Sequence, residues 1–204
     1  MNSDEIKNNI LQAAVHLFSE KGYDGVSIMD IAKAVGCSPA DIYNYCSSKS
    51  DIMNSIYDFF EQTLRKAGPN LEELLKLAET EDPEKVLMMT NFHYTPETQP
   101  LMDKIIIIAS VECRRDRKSQ DLLDRSIFDL PRRFTRPLLE KMIRLGRIEP
   151  LDIEAFVILQ ANYCYSAAIR NLGFKPITLE EWYRGQKLLY RLIKPIKQKG
   201  RSIS

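Results

Sequence analysis

The sequence has no apolar run of membrane-spanning length. Its most apolar stretch, residues 105–111, falls far short of the roughly 20 residues a spanning helix needs. No apolar segment follows a basic start at the N-terminus, so no secretory leader is expected. A soluble, cytoplasmic protein with no membrane partner is the expectation. Cysteine is scarce and scattered. Cys37, Cys46, Cys113 and Cys164 form no CxxC pair and stand at no zinc-ligand spacing with His16 or His93, so no metal site is expected. Cys37 and Cys46, if joined by helix, lie about 13 Å apart at 1.5 Å per residue, too far for a disulfide. The four read as small apolar fillers in a reducing compartment. A phosphate-cradling Gly-rich loop, HExxH, GxSxG and a convincing pair of carboxylates are all missing. No enzyme, no catalytic residue and no cofactor are expected.

An excess of charge of one sign is also lacking. The chain carries 29 bases and 28 acids, a net charge of +1. Residues 1–66 hold six bases against nine acids, a net of −3, which counts against tight binding of phosphate by that segment. Strict alternation of apolar and polar residues is absent, so no strand is expected.

What the sequence does have is helical periodicity. Hydrophobic residues make up 44% of its 204 residues, enough for a buried core. Ile6, Ile10, Ala13, Ala14, Leu17 and Phe18 form one stripe, and Gly22 is placed to stop that helix. Ser27-Ile-Met-Asp30 is a capping-box pattern with Asp in place of Glu. It opens a short helix that Gly36 ends. Ser38-Pro39-Ala40-Asp41 opens a third helix, running to about Tyr45, with Ser at the N-cap, Pro at the first helical position and Asp at the positive end of the dipole. Ser48 starts a fourth, ending before Gly68-Pro69. Further helices are expected from Asn70, from Asp82-Pro83 to Phe92 or His93, from Leu101 to about Lys118, from Gln120 to Leu145 with bends at Pro131 and Pro137, from Asp152 to Leu172 and from Thr178 to Lys194. Residues 196–204 read as a basic, fraying tail.

Two short helices joined by Gly36-Cys37-Ser38 have the form of a helix-turn-helix. That geometry suits DNA, because one helix fits the major groove while its partner braces on the backbone. The residues carry a more specific signal. Ile10-Leu-Gln-Ala-Ala14, Leu17-Phe18-Ser-Glu-Lys-Gly22-Tyr23, Val26-Ser27-Ile28, Asp30-Ile31-Ala32, Gly36-Cys-Ser38, Ile42-Tyr43-Asn-Tyr45 and Ser48-Lys49-Ser-Asp51-Ile52 together resemble the TetR family of regulators over residues 6–56. Beyond residue 66 the resemblance is architectural only.

The resemblance implies an all-α protein. It would have an N-terminal helix-turn-helix domain over residues 1–50 and a helical effector-binding and dimerisation domain over 51–204, linked by the helix 49–66. It implies that Pro39, Ala40, Asp41, Tyr43 and Asn44 face DNA, that Tyr43 and Tyr45 form the aromatic pair of the motif, that Lys49 meets a phosphate, and that Ser27 touches the DNA backbone. The sequence departs from the family pattern in three places. Cys46 stands where phenylalanine is usual, Asp41 where a small or hydroxylated residue is common, and the first helix lacks an arginine.

The resemblance also implies a pocket between helices. Met88, Phe92, Ile105, Phe128 and Tyr163 are its candidate lining, and this apolar set points to a hydrophobic or aromatic effector; the alternative for each is plain core. Phe156, Tyr163, Trp182 and Leu189 lie in apolar stripes on the last two helices and are candidates for a homodimer interface. The run Arg114-Arg115-Asp-Arg117-Lys118 is either a second anion site or, more simply, the solvated end of a helix. The expected protein is a ligand-responsive repressor that binds a palindromic double-stranded operator as a homodimer. The alternative is a dimeric ligand-binding module of the same fold that has lost strong DNA binding, a reading motivated by the −3 charge and by Asp41.

Overall fold

The computed structural model describes residues 3–90, 95, 97–170 and 177–196. Eleven α-helices are assigned among them: α1 (Ser3–Lys21), α2 (Ile28–Val35), α3 (Pro39–Tyr43), α4 (Lys49–Ala67), α5 (Leu71–Leu77), α6 (Pro83–Met88), α7 (Gln99–Glu112), α8 (Arg117–Leu123), α9 (Asp129–Arg144), α10 (Ile153–Arg170) and α11 (Leu179–Tyr190). Strand structure among the described residues amounts to one isolated bridge between Ile148 and Pro195. No described helix is long and apolar enough to cross a membrane. The expected all-α class is what the chain adopts.

The chain forms two compact units, Met1–Lys66 with Tyr94–Leu123, and Ala67–His93 with Asp124–Ser204. The first unit holds α1–α4, α7 and α8. Within it α1 packs on α2 and α7, α2 on α3, and α7 on α8. Its buried residues repeat at helical spacing: Ile10, Ala14 and Phe18 on α1, Ile52, Ile56 and Phe60 on α4, Ile105, Ile108 and Ala109 on α7. Each such stripe faces inward because removing apolar surface from water is the main favourable term. Gly22 and Gly36 end α1 and α2 at φ of 72° and 79°, a left-handed conformation that costs a glycine nothing.

The second unit is built around Leu74, Val86, Leu87, Leu138, Leu139, Met142, Phe156 and Tyr190, drawn from α5, α6, α9, α10 and α11. The Phe156 and Tyr190 rings stack at 6.2 Å. Gln160 Nε2 donates to the buried Tyr190 hydroxyl at 3.0 Å, which satisfies a polar group that would otherwise be costly there.

The helix boundaries differ from expectation in four places. The helix opened by Asp82 ends at Met88, short of Phe92 or His93, and the last helix ends at Tyr190 rather than Lys194. The apolar helix expected over 101–118 stops at Glu112, and α8 starts afresh at Arg117. The single bent helix expected over 120–145 is divided by a π-helical segment, Asp124–Phe128. The cause is Pro131. It has no N–H to return to the Ile127 carbonyl, and its ring crowds that turn, so the helix widens just upstream. Pro137, by contrast, lies inside α9. Phe92 and His93 themselves, the residues around Leu172, and the tail beyond Ile196 lie outside the described residues.

Candidate nucleic-acid interface

Three short-range devices build the helix-turn-helix. Ser27 caps α2: Asp30 N donates to Ser27 Oγ at 3.2 Å, and Asp30 Oδ2 accepts from Ser27 N at 2.8 Å and from Ser27 Oγ at 2.6 Å. Ser38 caps α3 by the same reciprocal arrangement, with Asp41 Oδ2 accepting from Ser38 N at 2.9 Å and Oγ at 2.7 Å. Pro39 follows at the first helical position. Ile42 is then the one buried residue of α3, pinning a five-residue helix that could not persist alone. Burying that side chain contributes about 1.5–3 kcal/mol.

With Ile42 inward, Pro39, Ala40, Asp41, Tyr43 and Asn44 are all exposed, while Tyr45 and Cys46 are half-buried. Tyr43 is a large ring left 55% exposed, on the helix that the helix-turn-helix geometry would present to a groove. Ser27 is exposed at the start of α2.

Two of the predicted DNA-facing residues are already engaged within the protein. The Asp41 carboxylate is held by Ser38, so much of its charge is directed at the α3 N-terminus. The Lys49 ammonium donates to the carbonyls of Tyr23 and Val26, each at 2.9 Å, and lies 4.1 Å from the Tyr23 ring centroid. Lys49 therefore staples the α1–α2 turn to the start of α4. An ammonium has three N–H groups, so two carbonyls leave one for a further acceptor.

The two capping aspartates titrate low. Hydrogen bonds from Ser27 hold Asp30 below its ordinary value of 3.8, and those from Ser38 do the same for Asp41. A depressed folded-state pKa means that the stabilisation is fully present above pH 3.8 and is lost as pH falls through the lower folded value. Amide exchange of α2 and α3 should therefore accelerate in that acid window. In a Ser27→Ala/Ser38→Ala variant the same helices should exchange faster at neutral pH and gain little further from acid. An identical acid response in both proteins would remove the caps from this role.

The Arg114–Lys118 run is neither a free anion site nor a solvated helix end alone. Arg115 chelates the buried Glu112 through Nε at 2.7 Å and Nη2 at 2.9 Å, and its Nη1 reaches Asp24 of the α1–α2 turn at 2.5 Å. Lys118 donates to Asn54 Oδ1 on α4 at 2.7 Å. The Tyr57 hydroxyl meets Ser119 Oγ at 2.5 Å, and Ser119 in turn donates to Asp116. These contacts tie the α7–α8 turn to α4 and to the turn that precedes α2. Burial, followed by smaller effects of neighbouring groups, pushes the Tyr57 hydroxyl up to about 12.

The predicted effector-pocket residues are distributed over both units. Ile105 is fully buried in the unit that holds the helix-turn-helix. Met88, Phe128 and Tyr163 are half-buried in the other, and Phe92 lies outside the described residues. Phe128 meets Tyr165 with ring centroids 5.7 Å apart. Tyr163 stacks on Trp182 at 5.1 Å, and its hydroxyl donates to the carbonyls of Glu181 and Trp182. A Cβ on Gly185 would collide with the Tyr163 ring, so that glycine is what lets α10 and α11 approach. The four cysteines are free and half-buried, and burial raises the Cys164 thiol to about 11.

Among the predicted dimer residues, Phe156 is buried in its own unit's core, while Trp182 and Leu189 are half-buried. The apolar side chains left on the surface of these helices are Ile158 and Leu159 on α10 and Tyr183 and Leu188 on α11, followed by Leu192. Ala155, Ile158, Leu159, Asn162 and Ser166 are exposed at helical spacing along one face of α10.

Known proteins agree with this arrangement. Residues 10–56 match the model of bacterial regulatory proteins of the tetR family. A relative from Staphylococcus aureus (strain Newman), the biofilm operon icaADBC HTH-type negative transcriptional regulator IcaR, is 47% identical over 47 residues, 23% of this chain and 25% of that protein. The Bacillus subtilis (strain 168) protein YttP is 33% identical over 81 residues, 35% of this chain and 39% of YttP. The match thus spans about a quarter of IcaR and two fifths of YttP. Over nearly the full length the fold is shared with the TetR-family regulator PfmR of Thermus thermophilus, with a TM-score of 0.63 and 22% identity over 89% of this chain and 97% of that one. It is shared as well with Salmonella enterica GusR, with a TM-score of 0.55 and 16% identity over 94% of this chain and 97% of that one. Residues 10–56 thus match the helix-turn-helix segment of bacterial regulatory proteins of the tetR family, and the all-helical remainder shares the fold of solved TetR-family structures.

Proposed function

We propose that the chain is a homodimeric transcriptional repressor that binds a palindromic operator through α3 and is released by a small hydrophobic or aromatic effector held in its helical domain. The observation that carries this reading is α3 itself: a doubly capped, Pro-started helix fixed by one buried isoleucine, with Tyr43 and every polar residue outward. A helix so presented matches the recognition element of a helix-turn-helix. Ser27 at the start of α2 and Lys49 at the start of α4 flank it as backbone contacts. The exposed apolar face of α10 and α11 supports dimerisation, and two-fold symmetry supports a palindrome with half-sites about 34–36 Å apart. The net charge of −3 over residues 1–66 is moderated where it matters, since Asp30 and Asp41 face helix N-termini and Asp24 is paired with Arg115.

Operator and effector act through a common element in this reading. α4 begins at Lys49 and ends at Ala67, where the chain enters the second unit. An effector shifts DNA binding only if it binds the two states of the protein unequally, and the coupling must be reciprocal.

The test is selection of binding sites from random duplex DNA by the purified protein. Enrichment of a palindrome is expected, and enrichment of nothing would leave only a dimeric module of this fold. For a candidate effector, the factor by which it weakens operator binding must equal the factor by which operator weakens effector binding. Tight effector binding with both factors equal to one would remove the sensor half of the proposal.

A further inference from the structure

The unit that carries the helix-turn-helix also has a solvent-open cavity of about 290 Å³. Its walls come from three places: Tyr23 and Asp24 in the α1–α2 turn, Met53 and Tyr57 on α4, and Glu112 and Asp116 at the α7–α8 turn. Its size is at the lower edge of the range in which proteins hold small organic molecules, and its mix of apolar walls with a few convergent polar groups is what such sites have.

The polar groups define the chemistry. Asp24, Glu112 and Asp116 face two cations, Arg115 and Lys118, so the lining carries one more negative charge than positive. Arg115 is committed to Glu112 and Asp24, and Lys118 donates to the neutral Asn54. Asp116 accepts through Oδ2 from Ser119 N at 2.8 Å and from Ser119 Oγ, which fixes its carboxylate in place without neutralising it. Lys49 lies on the Tyr23 ring but is not part of the lining. The hydroxyls of Tyr23 and Tyr57 both titrate high, chiefly through burial. Nearby carboxylates (Asp24, Glu112 and Asp116 at Tyr23, Asp116 and Glu112 at Tyr57) add to this, while the Ser119 hydrogen bond partly offsets it at Tyr57.

We propose that this cavity binds a small organic cation, a primary ammonium on an apolar or aromatic body, with Asp116 receiving the ammonium and Met53 and the tyrosines packing the body. Charge-assisted hydrogen bonds to a fixed carboxylate are the stronger kind, and partial exclusion of water raises their weight. The site is separate from the effector pocket proposed for the helical domain. Because its occupant would touch the α1–α2 turn, α4 and the α7–α8 turn at once, it would act on the helix-turn-helix unit directly.

The probe is benzylammonium, titrated into the full-length protein by calorimetry and by amide chemical shifts, with benzyl alcohol and benzoate as the neutral and anionic counterparts. Benzylammonium should bind at least about tenfold more tightly than benzyl alcohol, and benzoate should bind more weakly than either. Shifts should cluster at residues 23–24, 53–57 and 112–118. Asp116→Asn should weaken benzylammonium by about tenfold. Since Asp116 also holds Ser119, Met53→Trp serves as a second variant. It fills the cavity with no change of charge and should abolish binding, at a lowered melting temperature for enlarging a buried side chain, with circular dichroism confirming that the helical content is that of the parent. Equal affinity for the three probes, absence of saturable binding at millimolar concentration, or benzylammonium binding unchanged in Met53→Trp would each overturn the proposal.

Discussion

Replacing Tyr43 by alanine is expected to weaken operator binding by at least about thirtyfold while leaving the melting temperature almost unchanged. The ring is 55% exposed, so its removal opens no cavity in the core, and surface changes of that kind usually move stability by less than about 0.5 kcal/mol. A side chain that reads a base edge or packs in a groove is worth about 1–3 kcal/mol of affinity. A symmetric dimer uses it twice, which makes the combined loss roughly 2–6 kcal/mol. Fluorescence anisotropy with the selected operator measures the affinity, and circular dichroism measures the fold. Ile42→Ala is the contrasting substitution. Ile42 is wholly buried, so its truncation should cost about 2–5 kcal/mol of stability and should affect DNA only through loss of α3. If Tyr43→Ala binds operator as tightly as the parent, α3 is not the reading element.

The second large effect is expected at Leu188. This side chain is 65% exposed on α11, Tyr183 on the same helix and Leu192 just beyond it are exposed as well, and α10 leaves Ile158 and Leu159 exposed in turn. In the proposed dimer the face becomes buried, and Leu188→Glu would place a carboxylate without a partner in it. An uncompensated buried charge costs about 3–5 kcal/mol, and two-fold symmetry counts it twice. The dimer dissociation constant should rise by at least about ten-thousandfold. Sedimentation at micromolar concentration should then give a monomer whose helical content is that of the parent. Operator binding should fall with it, because each half-site would be engaged alone. A Leu188→Glu protein that remains a dimer would place the interface elsewhere.

The parts of this fold that are local in sequence are readable from it. Ser27-x-x-Asp30 encodes a capping box, Gly22 and Gly36 encode left-handed helix ends, and the apolar stripe of α1 gives its buried face directly. Ser38-x-x-Asp41 carries the same signal as Ser27-x-x-Asp30, so the engagement of the Asp41 carboxylate is available from spacing, although the acid reads first as a repulsive charge beside phosphate. Distant partners leave no such trace. Nothing in the spacing of Arg115 and Asp24, or of Tyr57 and Ser119, announces that they meet, because those contacts depend on how α7 and α8 return to the first unit. The Lys49 staple is hidden for the same reason: its partners are backbone carbonyls, which carry no sequence signature. Phe156 is a different case. Large apolar residues occur on both faces of α10, so periodicity alone does not separate the core stripe from the exposed one. The widened turn before Pro131 is only half visible, since a proline announces a defect in the helix but not whether the chain bends at it or relaxes upstream.

The central claim is that two copies of α3, held by one dimer, read two half-sites on the same face of DNA. Its most direct test is to insert about five base pairs, half of the 10–10.5 of a helical turn, between the half-sites of the selected operator. The half-sites then face opposite sides of the duplex, and a rigid dimer can engage only one. At least about a hundredfold loss of affinity is expected for the half-turn insertion. Affinity undiminished by that insertion would contradict the claim.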